Sequence, residues 1–146
     1  MDPTVQVLLD ERDIAGLCHR YATALDTRDW PLLRTCFLPD AVAVYEGIGE
    51  QPGYEAIEAL CRTYLAPLTQ TQHLIGNVEV VVDGDAATST CYLQAQHVRA
   101  GAEGGDLFVI AGRYSDELVR TDDGWRIARR TLATWWTNGN DAVVGG

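Results

Sequence analysis

The chain has 146 residues, 47% of them hydrophobic and 22% charged, and a formal net charge of −10 at pH 7. That length fits one domain over residues 1–146 with a single sizeable core, and the composition excludes a disordered chain. So acidic a surface repels nucleic acid and anionic membranes, and neither is expected as a partner.

The start, Met1-Asp2-Pro3-Thr4, lacks the basic region of a secretory leader, and the apolar stretch Val5 to Leu9 is interrupted by Gln6 and stopped by Asp10. No run approaches the roughly 20 apolar residues that cross a bilayer. A cytoplasmic location is therefore expected. Cys18, Cys36, Cys61 and Cys91 form no CxxC pair and lie in apolar patterns. They read as reduced, buried thiols, too far apart in sequence for a zinc site, so no metal is expected.

Ile14, Leu17, Cys18, Tyr21 and Leu25 recur at helical spacing, with Asp26 beside them at the helix end. Thr27-Arg28-Asp29 breaks the pattern. Asp29 then caps a second helix, with Trp30 and Pro31 in its first turn, that carries Leu33 and Phe37 and stops near Pro39. Ala41 to Glu46 is a short strand and Gly47 to Gly53 a loop. Tyr54 to Leu65 is a third helix through Ile57, Leu60, Cys61 and Tyr64, stopped by Pro67.

Four longer strands follow. His73 to Val82 ends at the hairpin signal Asp83-Gly84-Asp85, and Ala86 to Arg99 ends in the glycine-rich stretch 101–105. Asp106 to Val119 turns through 121–124 into Trp125 to Thr137, and Asn138 to Gly146 reads as a loose tail. Helices followed by a long-stranded meander predict an α+β fold: N-terminal helices packed on a strongly curved, mainly antiparallel sheet, a cone enclosing a pocket for a small apolar molecule.

Only three histidines are present, and strand parity tests two of them. On Ala86 to Arg99, His97 shares the more apolar face with Ala87, Cys91, Leu93 and Ala95, so it points inward. That alone is equally the behaviour of a satisfied core histidine. His73 alternates with Ile75, Asn77 and Glu79, away from the greasier face of Leu74, Val78, Val80 and Val82. Either a bulge at Gly76-Asn77 flips the register, or the valine face is a subunit contact and the pocket lies opposite. Asp26 beside an apolar stripe is costly unless paired, and a histidine is the available partner; otherwise it is a solvated helix-end residue. A carboxylate held against an imidazole makes a base that works near neutral pH. Tyr21, Tyr45 and Tyr114 read as buried rings whose hydroxyls need partners. Tyr114 shares its strand face with Phe108, Ile110 and Leu118.

Three stretches carry a family resemblance. Leu25-Asp26-Thr27-Arg28-Asp29-Trp30 resembles the end of the first helix in the SnoaL-like branch of the nuclear transport factor 2-like superfamily. Thr71-Gln72-His73-Leu74-Ile75-Gly76 resembles the start of its first long strand, and Asp123-Gly124-Trp125-Arg126-Ile127 its last hairpin. The order of elements agrees over about residues 8–137. Within that superfamily the chain is most similar to scytalone dehydratase-type lyases. The resemblance places Asp26, Tyr45, His73 and His97 on their catalytic aspartate, a carbonyl-binding tyrosine and two histidines. Leu25 stands where those enzymes have a tyrosine, with Tyr21 one turn earlier as a substitute. Gly112 and Tyr114 replace an expected serine and asparagine.

The resemblance implies a cofactor-independent lyase of secondary metabolism, a dehydratase acting on a small cyclic or polyketide-like substrate. Asp26, His73, His97, Tyr45 and Tyr21 would be catalytic, and Tyr114, Leu25, Phe108 and Ile110 would touch the substrate. A polyketide cyclase, a ketosteroid-isomerase-like enzyme and a non-catalytic binding or assembly module are the alternatives. A homo-oligomer, dimer or trimer, is expected, with Trp135, Trp136 and the Val78 to Val82 ridge as its contact.

Overall fold

In the computed structural model, which describes residues 1–145, four helices accompany one six-stranded sheet. Helix α1 runs from Pro3 to Thr27 and starts where the Asp2 carboxylate accepts the Thr4 amide at 2.7 Å. Proline in the first turn has no amide to waste there. Its buried stripe carries Ile14, Leu17, Cys18, Tyr21, Ala24 and Leu25. Arg28 ends it in the left-handed region, φ 57°, with its own amide on the Leu25 carbonyl and the Asp29 amide on the Ala24 carbonyl. Glycine is the usual residue for this helix-ending motif, and arginine there costs about 1–2 kcal/mol of backbone strain. Asp29 caps α2, Trp30–Arg34, by accepting the Leu32 amide at 3.0 Å.

The second helix is shorter than its sequence pattern predicts. Phe37 and Pro39 already belong to strand β1, Phe37–Tyr45, where Phe37 packs into the core beside Tyr21. The expected loop holds a second short strand, β2, Gly49–Pro52, paired antiparallel with β1. Helix α3 spans Tyr54–Leu65, as its apolar spacing predicts. Then come β3 (Gln70–Asp83), β4 (Ala86–Val98), β5 (Leu107–Thr121) and β6 (Gly124–Gly139). The strand order is β2-β1-β6-β5-β4-β3, antiparallel except for the β1–β6 pair. The sheet curls around α1, and the core fills the space between them.

The C-terminal stretch is not loose. β6 continues to Gly139, and a short helix α4, Ala142–Gly145, follows. Val143 is fully buried and Val144 packs on the core. The Asn140 amide group ties this corner to the Glu103 and Gly105 carbonyls. Two adjacent valines bring enough apolar surface to hold a turn down.

Two ion pairs brace the sheet, one with its arginine partly exposed and one fully buried. Asp10, on the inner stripe of α1, takes both guanidinium nitrogens of Arg120 at 2.7 and 2.8 Å and the Trp125 indole at 3.0 Å. The Arg120 bonds hold the Asp10 carboxyl down at about 2 against the upward push of burial. Deeper in, Arg130 binds Asp116 through two contacts of 2.8 and 2.7 Å, and neither side chain reaches solvent. A bulge puts Arg130 there: the pairing of β5 with β6 shifts between Glu117 and Leu118, which turns position 130 inward. Removing one partner of such a pair strands the other charge. Asp116→Ala is therefore expected to lower unfolding free energy by about 3–5 kcal/mol, read as a shift in the chemical denaturation midpoint.

Candidate active site

Strand β3 crosses the C-terminal end of α1, and there Asp26 meets His73. The Asp26 carboxylate accepts the His73 ring Nδ1 at 2.7 Å and the His73 amide at 2.8 Å. The Thr71 hydroxyl adds a third bond at 3.1 Å. Burial raises the Asp26 pKa, but the His73 ring, the His73 amide and Thr71 together hold it below the usual carboxylate value. An ionised carboxylate can only accept, so the neutral form of the His73 ring carries its proton on Nδ1 and presents Nε2 bare. The His73 side chain is 6% exposed.

A bulge resolves the parity of β3. Pairing with β4 shifts between Gly76 and Glu79, and Asn77 takes the left-handed φ of 49°. Before the bulge Thr71, His73 and Ile75 turn inward; after it Val78, Val80 and Val82 do. The three valines pack against the core, so this ridge is no free subunit contact, contrary to expectation; only Val81 stands out, 67% exposed.

His97 lies on the inner face of β4 as predicted, directly across from Thr71, and is 3% exposed. Its ring sits edge-on to His73 at 6.3 Å between centroids. Asp26 holds His73 and not His97. The His97 Nδ1 instead donates to the Phe108 carbonyl at 3.3 Å, which leaves its Nε2 as an acceptor too. Burial, reinforced by the His73 ring, pushes the His97 pKa down to about 4. The ring is thus neutral at neutral pH, with no proton on Nε2 to give.

The tyrosines converge on the other side. The Tyr21 and Tyr45 hydroxyls lie 3.2 Å apart, and Tyr45 also approaches the Cys61 sulfur at 4.0 Å. One phenol donates to the other, so the pair keeps one proton to offer. Tyr114 packs edge-on to Tyr21 at 5.5 Å, and the Arg130 guanidinium lies 4.3 Å from the Tyr21 ring centre and 4.1 Å from that of Tyr114. Burial pushes all three phenols well above their ordinary pKa, so they stay protonated donors.

These groups line a largely apolar cavity of about 270 Å³. Seven of the nine sequence-predicted residues border it: Tyr21, Leu25, Tyr45, His73, His97, Ile110 and Tyr114. Asp26 stands behind His73. Phe108 does not line the cavity, contrary to expectation. It packs on His97 at 6.4 Å from behind and offers its carbonyl instead. Sequence reasoning left the four lining residues of α3, Leu60, Cys61, Tyr64 and Leu65, without a role, and two of them touch the site's polar groups. Tyr64 stands edge-on to His97 at 5.7 Å, and Cys61 neighbours the Tyr45 hydroxyl. Both were visible in the helical stripe, which marks burial but not a cavity wall. Gly112 has a steric reason: a Cβ there would overlap the Ala133 carbonyl, where β6 bulges against β5. Among the described residues no cluster of His, Cys, Asp or Glu could hold a metal ion, and no helix is long and apolar enough to cross a membrane.

The profile of the SnoaL-like domain family matches residues 6–131. The terrestric acid biosynthesis cluster protein E of Penicillium crustosum is 35% identical over 94% of this chain and 91% of its own length. The solved structure of the Kfla4162 protein from Kribbella flavida superposes with a TM-score of 0.87 at 26% identity, covering 96% of this chain and 99% of the other. A protein assigned as a scytalone dehydratase from Novosphingobium aromaticivorans does so at 0.84 and 24%, over 94% and 91%. The last shows a shared fold.

The low His97 pKa makes a signed prediction. Between pH 6.5 and 4 the unfolded chain takes a proton that the folded ring refuses, so His97 costs stability as pH falls through this window. That loss is about 3 kcal/mol in full. Denaturant titrations across the window should show it, and His97→Gln should flatten the curve.

Proposed function

The chain belongs to the SnoaL-like domain family, with the cone-shaped fold of the nuclear transport factor 2-like superfamily, and we propose that it is a cofactor-independent lyase that dehydrates a small cyclic β-hydroxy ketone. The observation that supports this is the Asp26–His73 pair, with a bare Nε2 turned into an apolar cavity that also holds a phenol pair. The relative from a biosynthesis cluster favours a small molecule of secondary metabolism as the substrate.

In this reading the His73 Nε2 takes the proton from the carbon next to the substrate carbonyl. The electron pair moves to the carbonyl oxygen, which accepts a hydrogen bond from the Tyr21–Tyr45 pair. A donor so placed is worth about 3 kcal/mol of barrier. The imidazolium forms against the Asp26 carboxylate, which stabilises it and holds its orientation. The enolate then collapses, the β-carbon–oxygen bond breaks, and the hydroxyl leaves as water with the proton returned from Nε2. His97, neutral and proton-free on Nε2, accepts the hydrogen bond of that hydroxyl and aligns it. The carbonyl acidifies the C–H bond, so the step needs no further cofactor. Tyr114, Leu25 and Ile110 form the apolar wall against which the ring lies.

The expected homo-oligomer would use the outer sheet face, where Leu74, Tyr92, Trp135 and Trp136 are exposed and Tyr92 packs edge-on to Trp135 at 5.1 Å.

A panel of cyclic β-hydroxy ketones, incubated in deuterated water and followed by mass spectrometry, tests the activity. Loss of water is the expected result. Deuterium gain without loss of water would point to an isomerase or cyclase, and no change in any compound would overturn the reading. His73→Ala should turn over the active compound roughly 100-fold more slowly or worse while still folding, as circular dichroism checks.

A further inference from the structure

Arg28 is strained where it stands: it holds φ 57° at the end of α1, a position that glycine occupies without cost. Its side chain is spent on one small region. Nη1 donates to the Leu25 carbonyl at 2.7 Å and to the Thr71 hydroxyl at 2.9 Å, and Nη2 reaches the Leu65 carbonyl at 3.4 Å. The Thr71 hydroxyl in turn donates to Asp26 Oδ1 at 3.1 Å, the same oxygen that receives the His73 ring at 2.7 Å.

The order of donors in this chain has only one solution. A guanidinium has no acceptor, so Thr71 must accept from Arg28. Its single hydroxyl hydrogen is then free to point only at Asp26. Asp26 Oδ1 is held by Thr71 and Oδ2 by the His73 amide, so the carboxylate cannot rotate away from the ring. Thr71 is 3% exposed, and Arg28 is partly buried beside it.

We propose that Arg28 and Thr71 are positioning residues: the guanidinium sets the direction of the Thr71 hydroxyl, which locks the Asp26 carboxylate and so the Nδ1–H form of His73. The strained backbone at Arg28 is the means of bringing its side chain back under the end of α1. This deepens the reading of His73 as the base, and rests on that reading for its catalytic meaning alone. The ring proton can be followed without any substrate.

The test uses ¹⁵N-labelled full-length protein. In the wild type the His73 Nδ1 proton should give a slowly exchanging signal, with nitrogen shifts of the Nδ1–H tautomer. Arg28→Gly relieves the backbone but gives up three guanidinium hydrogen bonds, so its melting temperature is measured alongside. A purely structural role for Arg28 predicts a change in melting temperature alone. Positioning predicts that the Nδ1 proton exchanges roughly tenfold faster or more in Arg28→Gly and in Thr71→Val, the effect of losing one charge-assisted bond. Thr71→Ser should restore the wild-type signal. A protected Nδ1 proton in both Arg28→Gly and Thr71→Val, with wild-type nitrogen shifts, would overturn the proposal. So would a Thr71→Ser variant that behaves like Thr71→Val.

Discussion

A carboxylate half out of water at the junction of a helix and a strand imposes the geometry around it. Asp26 can only accept, and three of its donors come from two residues of β3, Thr71 and the amide and ring of His73. That requirement fixes how β3 crosses α1, which ring nitrogen bears the proton, and which one faces the cavity. His97 follows from the same placement, because Thr71 pairs with it across the ladder and brings the two rings within 6.3 Å. The placement of both rings is thus an outcome of satisfying one half-buried acid, with the curled sheet supplying the apolar walls.

The two sides of the cavity differ in kind. On one, two imidazoles each present a lone pair, because a carboxylate holds the far proton of His73 and a carbonyl that of His97. On the other, buried phenols keep their protons. Behind the phenols lies a buried cation, Arg130, neutralised by Asp116 yet stacked under two of the aromatic rings. Acceptors facing donors across an uncharged gap suit a neutral molecule in which charge moves from one end to the other and returns.

Much of the fold was legible because the patterns were long. The inner face of β4, from Ala87 to His97, alternates without a break, and every residue on it is buried. The stripe of α3 was equally clear. Legibility failed where two short-range preferences compete. Phe37 continues a helical spacing, but Pro39 and the pull of the sheet turn it into a strand. Asp26 and His73 could be paired on paper, since the cost of an unpaired acid demands a partner. Which way His73 pointed could not be read, because a single residue at Asn77 decides it. Phe108 failed for another reason: parity names a face, not the distance from a cavity. Arg130 was invisible because its inward turn depends on a bulge in β6, and an arginine in a strand reads as solvent-facing.

The bulge at Asn77 also separates two environments within one strand. Upstream of it, Thr71 and His73 gather around Asp26; downstream, Val78, Val80 and Val82 pack on the core. Because the irregularity absorbs the change of phase, mutations that repack the valine half need not propagate into the imidazole half. Selection for durability and selection for reactivity can therefore act on neighbouring positions of β3 with little interference. A one-residue deletion there would reunite them, and the strand would have to choose between wetting its valines and expelling its histidine.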